Sequence, residues 1–227
     1  MISIVDASPA TLTGIVSLHE RAFPGFLMTM LGRSFLRVYY ETSLEYVGTV
    51  ALTAQEEGDT VGFVVGYIAP EGFYALLRRR RWRLATAAVR AVLRAPNLLP
   101  RVFGDMRRVS RSAEPSSPPG LRAELASIGV PPAASGKGLG RMLAEAFVQR
   151  ARARGAEYVY LTTDAENNDK VNAFYCRMRF TRSRTFLGPG GRLMNEYVSP
   201  LDERSGCGPL ATMDTWEASV SPHSPPT

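Results

Sequence analysis

Between Leu121 and Met178 the chain runs through an apolar stretch, a glycine-rich turn, an amphipathic stretch, a second apolar stretch and a second amphipathic one. That order calls for strand, turn, helix, strand and helix laid on one sheet. Residues 121–130 read as a strand stopped by Pro131-Pro132. Over 138–154, Leu139, Met142, Leu143, Ala146 and Phe147 share one helical face, and Gly155 suits the C-terminal cap. Residues 158–163 form a buried-type strand, and 168–178 a helix with Val171, Phe174, Tyr175 and Met178 on one side. The turn is Ser135-Gly136-Lys137-Gly138-Leu139-Gly140. Its glycines let main chain approach a ligand, and they set free N–H groups at a helix start, where unmatched donors and the helix dipole favour phosphate. Lys137 and Arg141 add positive charge there. The turn is not a Walker A loop, because Gly138 follows Lys137 where Ser or Thr is needed. Nor is it Gly-x-Gly-x-x-Gly, because its glycines alternate strictly.

The rest of the chain supplies further elements. Residues 2–6 read as a strand and 9–23 as a helix, with Ser8 as N-cap, Pro9 in the first turn and Leu12, Ile15, Val16 and His19 at helical spacing. Pro24-Gly25 breaks the chain. A helix over 34–46 presents Phe35, Val38, Tyr39 and Thr42. Strands over 48–55 and 60–69 flank the turn Glu56-Glu57-Gly58-Asp59. Residues 180–187 and 192–198 pair as closing antiparallel strands.

The central segment resembles the GNAT superfamily of acyl-CoA N-acyltransferases. That family's cofactor motif is Gln or Arg, two residues, Gly, one residue, then Gly or Ala, between a strand and a helix. Gly138 and Gly140 fill the two small positions, and Ser135 stands where Gln or Arg is usual. Further on, the family has Asn seven residues before Tyr, an apolar residue before that Tyr, then Gly-Phe. Asn168, Phe174, Tyr175 and Phe180 match, with Arg179 in place of Gly. The resemblance implies an α/β (α+β) fold, with a mixed, mostly antiparallel central sheet flanked by helices. It implies acetyl-CoA as acyl-donor cosubstrate and no metal. Ile128, Gly129 and Val130 would offer main chain to the pantetheine arm. Ser135, Gly136, Lys137, Gly138, Leu139, Gly140 and Arg141 would hold the pyrophosphate. Asn168 would fix the next segment or touch the cofactor, and Tyr175 would stand near the thioester sulfur.

Transfer of an acetyl group to an amine needs two proton movements. The ammonium must lose a proton before attack, and the departing thiolate takes one up. Tyr175 suits the acid role, because phenol and thiol pKa values of about 10 and about 8.5 are close; the rival reading is plain core, since it lies on the apolar face of its helix. Glu124 interrupts an apolar strand and sits six residues before Val130, as the base glutamate does in the histone-acetylating branch of the family. The alternative is a solvent-facing glutamate near Arg122. His19 reads as a packing residue, Cys176 as inert for want of an activating His, and Asp164 and Glu166 as loop acids.

Charge is unevenly distributed. Residues 70–111 hold eleven arginines against Glu71 and Asp105, while the whole chain is +6. This argues against a whole-protein nucleic-acid surface. Arg78-Arg79-Arg80-Arg81-Trp82 followed by an apolar stripe reads as an amphipathic, basic helical insertion between strands 3 and 4. Three readings of residues 75–94 stay open: a solvated helix face, attraction for an anionic acceptor, or contact with acidic membrane lipid or a protein. The acceptor is expected to be a small-molecule amine. Phe23-Pro24-Gly25-Phe26 with Leu31-Gly32 and Phe35-Leu36 is similar to acetyltransferases of sugar pathways, which ranks amino sugars, nucleotide- or lipid-linked ones included, first. A non-catalytic acyl-CoA-binding module and a peptide-amine acetyltransferase are the alternatives. One domain is expected over 1–201, with 70–111 as the insertion, 112–120 as a flexible connector and 202–227 as a disordered tail. No apolar run approaches the roughly 20 residues of a bilayer span, and two distant cysteines make no disulfide framework. The expected compartment is the cytoplasm.

Overall fold

A computed structural model describes residues 1–94, 120–134, 136–188 and 191–201. Its sheet has seven strands: β1 Ile2–Asp6, β2 Thr49–Glu56, β3 Asp59–Ile68, β4 Arg122–Gly129, β5 Tyr158–Asp164, β6 Thr181–Leu187 and β7 Leu193–Pro200, in the order β1-β2-β3-β4-β5-β7-β6. Every neighbouring pair is antiparallel except β4 and β5, which run parallel. A parallel pair needs a crossover, and a helix supplies it here. Among the described residues the α-helices are α1 Leu12–Ala22, α2 Leu27–Met30, α3 Arg33–Glu45, α4 Pro70–Arg79, α5 Arg81–Arg94, α6 Leu139–Ala153 and α7 Asp169–Arg177. The basic insertion therefore forms two helices as far as Arg94. Its remainder, the connector over 112–119 and the tail from 202 lie outside the described residues.

The sheet separates two apolar layers. One holds the inner face of α6 (Leu139, Leu143, Ala144, Phe147, Ala151) with Tyr175 of α7. The other holds α1, α3 and the start of α4, centred on Leu36, Tyr40, Phe63, Tyr67 and Phe73. Strands β2 and β3 are covered on both faces, so they read as continuous apolar runs rather than alternating ones. Their hairpin turns at Glu57 and Gly58, both at positive φ, the pairing that matches strand twist in a two-residue turn. Phe147 is fully buried; truncating such a ring to Ala costs about 3–5 kcal/mol.

Three local expectations are corrected. Helix α1 starts at Leu12, not near Pro9, and Ser8 is not its cap. Ser8 and Thr11 instead bond one another reciprocally, Ser8 N–H to Thr11 Oγ1 and Thr11 Oγ1 to Ser8 O, both 3.0 Å, which closes a turn ahead of the helix. The inner face of α3 is Leu36, Tyr39, Tyr40, Thr42 and Ser43, one position round from Phe35 and Val38. Buried polar groups set that rotation: Ser43 Oγ meets the Tyr67 hydroxyl at 2.8 Å, and the Tyr40 hydroxyl meets His19 Nδ1 at 2.7 Å. A hydrophobic pattern does not register such pairs. The chain after Pro24-Gly25 also forms the short helix α2, which the sequence reading left out.

Candidate functional site

Strands β4 and β5 stay together for three positions, Arg122↔Tyr158, Ala123↔Val159 and Glu124↔Tyr160. Beyond Glu124 they part. β4 continues to Gly129 beside β3, and β5 continues to Asp164 beside β7. The β3–β4 register skips Ala126 between Gly66↔Leu125 and Val65↔Ser127. Such a bulge bends its strand. Among the described residues, the β5-facing main-chain groups of residues 125–129 are thus left without a strand partner. The gap opens into a cavity of about 2560 Å³.

The glycine turn ends at the mouth of this gap. Gly136 and Gly138 sit at φ 81° and 80°, and a Cβ on either would meet nothing within 4 Å. Left-handed backbone here is what turns the chain into α6, and the space beside it is open. Among the described residues, the N–H groups of Gly138, Leu139, Gly140 and Arg141 find no acceptor; the first helical bond is Met142 N–H to Gly138 O at 3.0 Å. Among the described residues these four donors stand free, and with the helix dipole and the cavity-lining Arg141 they form an arrangement that could hold a diphosphate. The residues named from sequence divide as follows. Gly136, Gly138, Gly140, Arg141, Ile128 and Val130 line the cavity. Leu139 turns its side chain into the core, leaving its N–H as its contribution. Gly129 lies against Phe63, whose ring a Cβ would overlap. Lys137 is exposed at the turn and Ser135 lies outside the described residues.

Asn168 caps α7. Its Nδ2 donates to Thr163 Oγ1 at 2.6 Å and to Asp164 O at 3.3 Å, so it ties the end of β5 to that helix. Tyr175 is buried against Phe180 and Tyr197, yet lines the cavity. Burial holds its phenol well above the ordinary value. Its hydroxyl has no hydrogen-bond partner among the described residues.

Glu124 faces the opposite layer. The Tyr74 hydroxyl of α4 donates to both its oxygens, at 2.9 and 3.0 Å. Burial raises the carboxyl to about 7, against the pull of the Tyr74 and Tyr160 hydroxyls and of Arg122. Tyr74 and Tyr160 did not emerge from the sequence reading. The Glu124↔Tyr160 pairing brings those two side by side, and the one usable hint was a tyrosine at alternate positions of a buried strand, Tyr158 and Tyr160. His19 is the packing residue expected: buried, stacked near Phe63, and pushed down to about 4 by desolvation, so it is neutral.

The fold, a sheet parted between its two parallel strands with a helix N-terminus at the opening, is similar to that of solved GNAT-family structures. Residues 107–180 match the model of the Acetyltransferase (GNAT) family. Comparison with the curated proteins finds no match. Among solved structures, NAA60 of Arabidopsis thaliana in complex with acetyl-CoA is similar at 16% identity and TM-score 0.56, over 88% of this chain and 99% of that one. The ribosomal-protein-S18-alanine N-acetyltransferase of Escherichia coli gives 14% and 0.54, over 95% and 99%. A transcriptional regulator from Bacillus halodurans gives 18% and 0.53, over 83% and 98%. The matched region is thus similar to a GNAT acetyltransferase domain, and the fold around it is that of solved GNAT-family structures.

Proposed function

We propose that the protein moves the acetyl group of acetyl-CoA to the primary amine of a small molecule by direct attack. The observation that carries this reading is the set of unmatched N–H groups at 138–141 beside the unpaired edge of β4. The first would hold the diphosphate and the second would receive the pantetheine arm along Ile128, Gly129 and Val130. Tyr175, which burial keeps neutral, passes the second amine proton to the departing thiolate, and Glu124, poised near neutrality, takes the proton that the ammonium must first lose. Holding both reactants in place contributes as well, an effect worth roughly 7–11 kcal/mol when orientation is good.

The acceptor wall supports an amphipathic or anionic amine, an amino sugar bearing a nucleotide or lipid among them. Phe26, Trp82, Val89 and Leu93 are exposed apolar residues on it, and Arg78 and Arg81 line it. The same helix suits contact with anionic lipid. Among the described residues no helix is long and apolar enough to cross a membrane, and a cytoplasmic location fits the reading. Peptide α-amines are the second acceptor class, favoured by likeness to an enzyme named as a ribosomal-protein-S18-alanine N-acetyltransferase. A thiol-release assay with acetyl-CoA against amino sugars, polyamines and short peptides tests both. Release with an amino sugar supports the first reading, release with peptides alone supports the second, and CoA binding with no release against any of them would overturn transfer.

A further inference from the structure

We propose that the proton leaving the acceptor passes through the hydroxyl of Tyr74 to the Glu124 carboxylate, so that Tyr74, not Glu124, touches the amine. The proposal rests on the transferase reading above. Tyr74 lines the cavity, and among the described residues that do so Glu124 does not appear. The Tyr74 hydroxyl donates to both carboxylate oxygens and so stands between them and the cavity. A phenol oxygen that donates its proton still has lone pairs to accept one. A base behind a phenol therefore works by exchange: the phenol gives its proton inward as it accepts one from the cavity side.

The position of Tyr74 is over-determined. Helix α4 begins immediately after Ala69, which is held in the left-handed region at φ 48°. The Tyr46 hydroxyl donates to Ile68 O at 3.0 Å and Ala69 O at 2.7 Å, pinning that bend. Ala69 N–H donates to Arg122 O at 3.0 Å, and Arg122 pairs with Glu71, which ties the first turn of α4 to β4. Gly72 clears Tyr46, where a Cβ would come within 2.5 Å of its hydroxyl. Phe73 stacks on Tyr67 at 3.7 Å, with ring planes 10° apart. These contacts fix the turn that aims Tyr74 at Glu124.

The electrostatics permit exchange without ionising the phenol. Burial, then the Glu124 charge, hold Tyr74 well above its ordinary value, so it stays neutral. The other groups facing Glu124 are Tyr160 of β5, Arg122 of β4 and Tyr39 of α3. Tyr39 and Tyr160 are likewise held neutral by burial, leaving Arg122 as the fixed charge. The step balances. The ammonium gives one proton to Tyr74 Oη while Tyr74 gives its own to Glu124. The freed nitrogen lone pair then forms the C–N bond as the C–S bond breaks. The second N–H proton neutralises the thiolate by way of Tyr175 or solvent, and Glu124 later returns its proton to water.

The test uses the full chain with Tyr74→Phe. The first readout needs no acceptor. Glu124 binds its proton more tightly folded than unfolded, so stability falls as pH rises from the ordinary carboxyl range to about 7. The Tyr74 bond favours the charged carboxylate; without it the fall should extend about one pH unit higher. An unchanged melting profile would show that the bond is not made in solution. The second readout is thiol release with the best amine of the panel and with hydroxylamine, which is already unprotonated near neutral pH. Tyr74→Phe should lower kcat/KM for the amine about 100-fold, and for hydroxylamine less than about fivefold. Its rise with pH should move up, and CoA affinity should stay the same. Equal losses with both acceptors, or a wild-type rate, would overturn the relay while leaving transfer intact. Glu124→Gln keeps the neighbouring phenol and should remove the step near pH 7, leaving only the rise of the free-amine fraction, and should leave the hydroxylamine rate nearly independent of pH; a step surviving near 7 also overturns it. Absence of release from the wild type, with CoA still bound, sinks the transferase reading and the relay with it.

Discussion

The two walls of the cleft are built from different material. The proposed donor wall is main chain: the open edge of β4, the glycine turn and the first N–H groups of α6. It comes from one contiguous stretch, and only the glycines and the helical period of the sequence matter to it. The acceptor wall is side chain: His19, Phe26, Tyr39, Tyr74 and Trp82, drawn from four helices and a loop. On the proposed reading, main-chain recognition tolerates substitution, which accommodates Ser135 where the family motif has Gln or Arg. Side-chain recognition does not tolerate it in the same way, so differences among relatives should concentrate on the acceptor wall.

That contrast breaks first at Glu124. Glu124→Gln should cost about 10²–10⁴-fold in kcat/KM toward an ammonium acceptor and leave CoA affinity alone; isothermal titration beside the kinetic assay checks both, and an equal loss of CoA binding would merge the two walls. Gly138→Glu is the converse. It strains a position at φ 80° and sets a carboxylate where a diphosphate would lie, so CoA should bind about 100-fold more weakly. Unchanged affinity would dissolve the donor wall as drawn. Tyr175→Phe should lower kcat about tenfold with CoA affinity unaltered, a smaller loss because water can protonate a thiolate; equal turnover would return Tyr175 to the core. The smallest effect is structural. Arg179 occupies φ 63°, which costs a side-chain-bearing residue roughly 1–2 kcal/mol, so Arg179→Gly should stabilise the chain by up to about 1 kcal/mol in denaturant titration.

The same contrast explains what could be read from sequence. Strand, turn and helix over 121–154 are local, and Leu139, Leu143 and Phe147 announce their face by period alone. Arg179 shows why glycine is usual at its position, a reason the sequence motif carries but does not state. Glu124 was legible as an interruption of an apolar strand. Tyr74 was not, because it lies among Phe73, Leu76 and Leu77 in an amphipathic stretch, and its meaning comes from Glu124, fifty residues away in the chain. The face of α3 was misplaced for a related reason: Tyr40 and Ser43 are buried as hydrogen-bonding partners of His19 and Tyr67 rather than as apolar residues.

The Tyr46 pin has an evolutionary consequence. It grips the chain at Ile68 and Ala69, ahead of everything that follows in the insertion. Whatever length or sequence comes after α4 is therefore hung from a fixed hook, like an interchangeable cassette. Lineages could exchange that cassette to suit new acceptors while the hook kept Tyr74 in place.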